Sequence, residues 1–288
     1  MANIVEVVDS EDPRLASYGR LNEPMARERH EKAAGVFIVE GQTAILRLLE
    51  SQHEIVSMLL TASRFANLAD RLASLQIDVF IASRDILRAT VGFDLHRGAV
   101  ALVRRPQPRT LTNVLGTSST IAILEGLNDH ENLGAIARTA RAFGVDAFVL
   151  DPSCADPYYR RAIRVSMGEM LFLPIAVAED WPADLDRIRQ AGFRILALTP
   201  APDAVPLRTI ARATGERIAI MLGAEGPGLT HAAQQAADQR VRIEISADVD
   251  SVNVGHAAAV AFHALAPEIF EVDAAPAHNV EWRDERRH

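Results

Sequence analysis

The chain has 288 residues, 49% of them apolar, and a formal net charge of −8. That is enough apolar material for one large domain or two ordinary ones, and no unbroken apolar run approaches the roughly 18–20 residues of a membrane span. The one cysteine, Cys154 in the loop DPSCADP, excludes an internal disulfide and a Cys-rich zinc site, and its reading is an incidental thiol.

The acidic balance at first argues against a nucleic-acid partner, but local patches decide such binding, and every cationic residue except Lys32 is an arginine. Arginine makes forked contacts to phosphate. The N-terminal stretch MANIVEVVDSEDPR has no basic region followed by an apolar one, so a cytoplasmic location without membrane association is expected.

Residues 1–106 read as a first, mixed α/β unit. Strands are expected at Val36–Val39, Ile55–Leu60, Val79–Ala82 and Ala99–Val103. Helices are expected at Gln42–Leu49, Asn67–Leu75 and, capped by Ser83, through Ala89. Prolines and small polar residues then mark 107–118 as a linker. From 119 to 288 strand and helix alternate regularly. Strands are expected at Ile121–Glu125, Ala147–Leu150, Leu171–Ile175, Arg194–Leu198, Ile218–Leu222 and Val241–Ile245. Helices are expected at Leu133–Phe143, Tyr159–Val165, Asp184–Gln190, Leu229–Ala237 and Asn253–Leu265. This alternation implies a parallel sheet covered on both faces, and the polar tail after Val272 is expected to fray.

Three segments carry candidate chemistry. In the first, 128–150, Leu133, Ile136, Ala137, Ala140 and Phe143 form the buried face of a helix. Asn132 sits at its expected N-cap, and Arg138 and Arg141 lie three residues apart. Taken alone this is a solvated helix with surface arginines. In the second, 220–229, an apolar strand runs into a loop with Gly223, Gly226, Gly228 and Glu225. Glycines there let the backbone approach a ligand and expose its N–H groups. The order and late position differ from a dinucleotide fingerprint, which argues against a dehydrogenase.

In the third, 243–265, a strand leads through Ser251 and Asn253 into an alanine-rich helix. Its D-x-D-S-x-N spacing lacks the glycine and glutamate of a calcium loop, and His256 and His263 have no carboxylate placed to complete a zinc helix, so no metal is expected. A further cluster, Arg160, Arg161 and Arg164, followed by Ser166 and Gly168, joins Arg138 and Arg141 as a candidate basic patch for a phosphate-bearing partner.

The ordered set resembles the signature motifs of the SpoU-type (TrmH-like) RNA 2′-O-ribose methyltransferases of the SPOUT superfamily. The matching residues are Asn132, Gly134 and Arg138; Gly223, Glu225, Gly228 and Leu229; Ser251, Asn253 and Val254; and Arg164, Ser166 and Gly168. Phe37 to Gly41 and His96 to Val103 resemble the ribosomal-protein-like, RNA-selecting domain often attached to these enzymes.

The resemblance implies an α/β protein with a C-terminal SPOUT trefoil-knot, parallel-sheet domain and a smaller N-terminal α/β RNA-binding domain. It implies S-adenosylmethionine as cofactor, held by Leu198, Thr199, Leu222, Gly223, Ala224, Gly228, Ile245, Val252, Asn253 and Val254. Arg138, Asn132, Glu225, Ser251 and Asn253 are the implied catalytic group, with Arg138 holding a phosphate and stabilising the attacking oxygen. RNA contacts are expected from Arg138, Arg141, Arg160, Arg161, Arg164, Ser166 and Arg97.

Homodimerisation is implied as well. The substrate expected is 23S ribosomal RNA, on the strength of the attached N-terminal domain. The alternatives are a transfer-RNA 2′-O-methyltransferase and a non-catalytic RNA-binding homologue. Ile245-Ser246 stands where the family has Ile-Pro, Val252 replaces its common leucine, Gly255-His256 replaces a pair of small residues, and Arg97 replaces a common glutamine.

Overall fold

The computed structural model describes residues 1–19, 21–95, 98–246 and 248–266; Arg97 and the tail after Val272 lie outside the described residues. The first unit contains β1 (Asn3–Val7), α1 (Pro24–Ala34), β2 (Val36–Glu40), α2 (Gln42–Glu50), β3 (Ile55–Leu60), α3 (Ala62–Leu72), β4 (Asp78–Ala82), α4 (Arg84–Val91) and β5 (Ala99–Arg104). Its five-stranded sheet has the order β1-β4-β3-β5-β2, with β5 antiparallel to both neighbours. Ser83 caps α4 as expected, its Oγ accepting from the Ile86 N–H.

The second unit follows as α5 (Leu111–Thr117), β6 (Thr120–Glu125), α6 (His130–Ala142), β7 (Ala147–Leu150), α7 (Arg160–Val165), β8 (Ile175–Val177) and α8 (Asp184–Gln190). It closes with β9 (Phe193–Leu198), β10 (Val205–Pro206), β11 (Arg217–Gly223), α9 (His231–Ala236), β12 (Gln239–Arg242) and α10 (Val254–Leu265). All seven strands run parallel in the order β10-β12-β9-β11-β6-β7-β8. Helices cover both faces, so β6 and β7 are buried throughout and appear in sequence as unbroken apolar runs.

Five sequence expectations change. The stretch 107–118 is not an open linker: Leu111, Val114 and Leu115 of α5 pack into the core beside β6, β7 and β9. The helix α6 starts earlier than expected, at His130. Its N-cap is Asp129, which accepts from the Glu131 N–H, so Asn132 lies buried within the first turn. The run Leu171–Ile175 is not one strand but a 3₁₀ turn (Glu169–Phe172) followed by β8. Leu171 there points into the core of the first unit and Met170 into that of the second. The last strand, β12, ends at Arg242, short of Ile245. In the first unit β1 and α1 appear where no element was expected.

The α6 helix lies between α7 and α10, and small residues set both distances. A Cβ at Gly134 would sit 2.5 Å from the Ala162 carbonyl oxygen on α7, so only glycine allows that approach. On the other side, Gly255 at the start of α10 faces Ala135.

Candidate active site

Three neighbouring strands, β12, β9 and β11, end on the same side of the sheet. Their carboxyl ends and the loops that follow enclose a cavity of about 430 Å³. Open parallel sheets bind ligands at this edge, and the volume is within the roughly 300–1,000 Å³ of small-molecule sites. Leu198 and Thr199 contribute from β9, Leu222, Gly223, Ala224 and Gly228 from β11 and its loop, and Ile245 and Val252–Val254 from the loop into α10. The structure therefore brings together all ten residues expected around a cofactor, with Glu225 and Ser251 beside them. Pro200, Ile243 and Ala257, which the sequence reading did not name, also line the cavity. Pro200 follows Thr199, Ile243 lies two residues before Ile245 and Ala257 one helical turn after Asn253, the signal that would have found them.

The glycine loop folds tightly back on its strand. A Cβ on Gly223 would come within 2.3 Å of the Gly228 carbon and the Leu229 nitrogen, and Gly228 donates to the Ala224 carbonyl at 3.0 Å. Gly226 and Gly228 hold φ of 83° and 69°, left-handed values that favour glycine. The loop is tethered behind by Glu125, buried at the end of β6. Its carboxylate accepts from the Thr230 N–H and hydroxyl, both at 2.8 Å, and from Trp181 Nε1 at 2.6 Å.

At the mouth, Asn253 caps α10: its Oδ1 accepts from the N–H groups of Gly255 at 2.8 Å and His256 at 3.4 Å. Its Nδ2 donates to Asn132 Oδ1 at 2.9 Å and to Glu225 Oε1 at 2.6 Å. One residue from each of the three motifs thus enters one hydrogen-bonded chain, in which the partner of Glu225 is Asn253. Ile245 and Val252 leave apolar side chains exposed at the rim. Arg138 does not line the cavity. It is exposed on α6, about 9 Å along the axis from Asn132, and makes no hydrogen bond or ion pair among the described residues.

The expected RNA-facing arginines divide. Arg161 is exposed, and Arg141 is exposed but directed toward Glu169 at 3.5 Å. Arg160 is buried and Ser166 fully so, which corrects both expectations. Arg160 donates to the buried Glu40 of β2 at 2.7 Å, and Arg164 reaches the same oxygen at 3.3 Å. Ser166 Oγ donates to the Ile163 carbonyl and accepts from the Met170 N–H, closing α7. Further ion pairs cross between the units, among them Arg47 to Glu169 at 2.9 Å and Arg105 to Asp156 at 2.8 Å. Ile163 and Leu171 insert into the core of the first unit. The R-x-S-x-G run and the FIVEG run therefore meet each other at the domain seam.

Cys154 is half-buried, and its thiol donates to the Leu124 carbonyl and Asp151. Burial and the Asp151 carboxylate push its pKa up to about 12, so it holds its proton at neutral pH. Among the described residues no His, Cys, Asp and Glu cluster is arranged to hold a metal ion, and no helix is long and apolar enough to cross a membrane.

Residues 119–263 match the SpoU rRNA methylase family and residues 38–109 the RNA 2′-O ribose methyltransferase substrate-binding family. An uncharacterized tRNA/rRNA methyltransferase of Mycobacterium bovis is 44% identical over 262 residues, 91% of each chain. A Bacillus subtilis 23S rRNA (guanosine(2553)-2′-O)-methyltransferase, RlmP, is 24% identical, covering 83% of this chain and 91% of its own. The crystal structure of an AdoMet-bound rRNA methyltransferase from Sinorhizobium meliloti superposes with a TM-score of 0.77 at 21% identity, over 91% of this chain and 97% of that one, so the two-domain SPOUT fold is shared. The motifs, the cavity they line and these matches agree: the chain belongs to the SpoU rRNA methylase family.

Proposed function

We propose that this methyltransferase transfers a methyl group from S-adenosylmethionine to a ribose 2′-hydroxyl of RNA, with 23S ribosomal RNA as the substrate. The observation that carries the reading is the convergence of Asn132, Glu225 and Asn253 at the mouth of the cavity formed by β9, β11 and β12. The cavity suits the cofactor: apolar walls from Leu198, Leu222 and Ile245 for the adenine, and a glycine loop with open space above Gly226 and Gly228 for close backbone contact. Glu225 supplies a carboxylate for the positive end of the molecule. When bound, S-adenosylmethionine supplies a methyl group on a sulfonium, which needs no metal to leave.

The chain's own residues do the rest. The Asn253 cap fixes the start of α10 against the cavity, and Asn132 holds Asn253 from α6. Arg138, free of protein partners among the described residues, binds the phosphate next to the target ribose and stabilises negative charge developing on the hydroxyl oxygen. A guanidinium resists deprotonation, so the proton goes to phosphate or water. Because Arg138 is exposed outside the cavity of its own protomer, a second copy of the chain is proposed to complete the site. An RNA substrate is supported by the substrate-binding match at 38–109, and the choice of ribosomal RNA by the activity carried in the name of the Bacillus subtilis relative.

The test is transfer of labelled methyl from S-adenosylmethionine to unmethylated ribosomal and transfer RNA, followed by nuclease digestion. Label on a ribose 2′-oxygen of ribosomal RNA is the expected result. Label on a base overturns the chemistry, and label on transfer RNA alone overturns the substrate.

A further inference from the structure

A second cavity has no part in that chemistry. It lies at the seam of the two domains, between the segment leaving β5, the loop 151–158 after β7 and the turn before β8, and measures about 400 Å³. Pro106, Pro108, Pro152, Pro157 and Pro174 contribute to its walls. Proline fixes its own φ, so these walls are largely preformed and lose little freedom when a ligand enters.

Inside the cleft the charges are unevenly committed. Arg105 is occupied, donating with both Nη atoms to Asp156 at 2.9 and 2.8 Å. Asp151 is occupied too, accepting from the Gly126 N–H, Ser153 and Cys154. Three of the donors that remain matter here. Arg109 is exposed and has no side-chain partner among the described residues. Lys32 is half exposed, shared between Glu28 at 2.8 Å and Asp156 at 3.9 Å. The Tyr158 hydroxyl has no hydrogen-bond partner among the described residues, while its ring is held by Phe37 at 5.2 Å and by the Arg105 guanidinium at 5.4 Å. Burial pushes the phenol up to about 12 against the opposing charges of Arg105 and Arg109, so it keeps its proton and donates at neutral pH.

A fixed aromatic wall, a phenol donor and the uncommitted Arg109 match a nucleotide: phosphate for the cation, sugar or base for the phenol and ring. The seam position adds a constraint, because a strand lying there touches both the domain that matches the substrate-binding family and the one that matches the methylase family. We propose that this seam cleft binds one nucleotide of the RNA other than the one being methylated, with Arg109 on its phosphate and Tyr158 on its sugar or base. The proposal rests on the RNA reading above.

The experiment uses the full chain and a fluorescein-labelled, single-stranded 12-nucleotide RNA of mixed sequence, with anisotropy followed across salt concentration. Arg109→Ala is expected to weaken binding about tenfold at low salt. It should also reduce the slope of log affinity against log salt by about 0.7, the signature of one lost phosphate contact on a single strand. Tyr158→Phe should weaken binding about threefold with the slope unchanged, since a neutral donor releases no counterion. S-adenosylmethionine affinity, measured in parallel, should be the same in all three proteins.

Unchanged affinity and slope in Arg109→Ala overturn the proposal, as does binding of free guanosine monophosphate without binding of the oligonucleotide. The two readings separate cleanly. If the parent protein transfers no methyl group to RNA yet Arg109→Ala still flattens the slope, the function above fails and the cleft stands. If transfer proceeds and Arg109→Ala alters neither the RNA KM nor the slope, the cleft fails and the function stands.

Discussion

Asn253 and Glu225 meet at 2.6 Å, a contact between the loop after β11 and the start of α10 that only an amide on α10 can make while also capping the helix. The same Nδ2 donates to Asn132, so the residue uses its acceptor for the helix and its donors for the site. Aspartate keeps the cap but loses both donations and sets a second carboxylate against Glu225. Asn253→Asp should therefore cost about 1–2 kcal/mol of stability, a fall in Tm of about 2–6 °C, and weaken S-adenosylmethionine binding at least tenfold. Calorimetric titration of the folded variant checks this; cofactor affinity equal to that of the parent would show that the contact does not shape the cavity.

Arg138 separates catalysis from stability. It has no hydrogen-bonding or ionic partner among the described residues, so Arg138→Ala should leave Tm unchanged. Loss of a preorganised cation at the reacting oxygen should lower turnover about a hundred- to a thousandfold. Arg138→Lys keeps the charge but not the fork and should recover only part of it. Single-turnover rates with saturating RNA decide the point; full turnover in the alanine variant removes Arg138 from the mechanism.

What the sequence showed and hid follows from the physics of each element. The face of α6 was legible because Leu133, Ile136, Ala137 and Ala140 repeat at helical spacing and are all fully buried. Its start was not, because Asn128, Asp129 and Asn132 are all good capping types and only tertiary contacts choose among them. The α1 helix was invisible for the opposite reason. Its inward side carries the buried pair Arg27–Glu31, four residues apart at 2.7 Å, instead of an apolar stripe. Cavity residues could be named because the family resemblance carries them onto the end of β9 and onto the second and third motifs. The role of Arg160 could not, because its partner Glu40 lies 120 positions earlier and no local pattern ties them.

That pair is a strong test of the seam. Glu40 and Arg160 are 2% and 7% exposed, and each removed alone leaves the other charge buried. Glu40→Met or Arg160→Met should each destabilise the chain by about 3–5 kcal/mol. The double replacement Glu40→Met with Arg160→Met should cost less than either single change, because no charge is stranded. Urea denaturation of all three measures it; additive losses would mean that the two side chains do not depend on each other.

The seam should also be sensitive to mild acid. His130, the first residue of α6, packs at a tilt against Tyr159 with ring centroids 4.4 Å apart and faces Glu28 of α1 at 3.8 Å. Burial lowers its pKa below the ordinary 6.5, with Arg161 adding to the effect and Glu28, Asp156 and Asp129 opposing it. Burial likewise lowers His53, whose Nε2 bonds the Leu171 carbonyl across the seam at 3.0 Å. A histidine depressed in the folded state is neutral in both states above about pH 6.5 and takes up its proton more readily when unfolded. Its contribution is therefore intact above that pH and is lost as pH falls from about 6.5 toward the folded value. Urea midpoints at pH 7.5, 6.5 and 5.5 should decline in the parent, and His130→Gln should decline less, with His53 accounting for part of the remaining slope. Equal declines in parent and variant would place the acid sensitivity outside His130, in His53 first, because the lowered pKa values of Asp151 and Asp184 cost stability only at still lower pH.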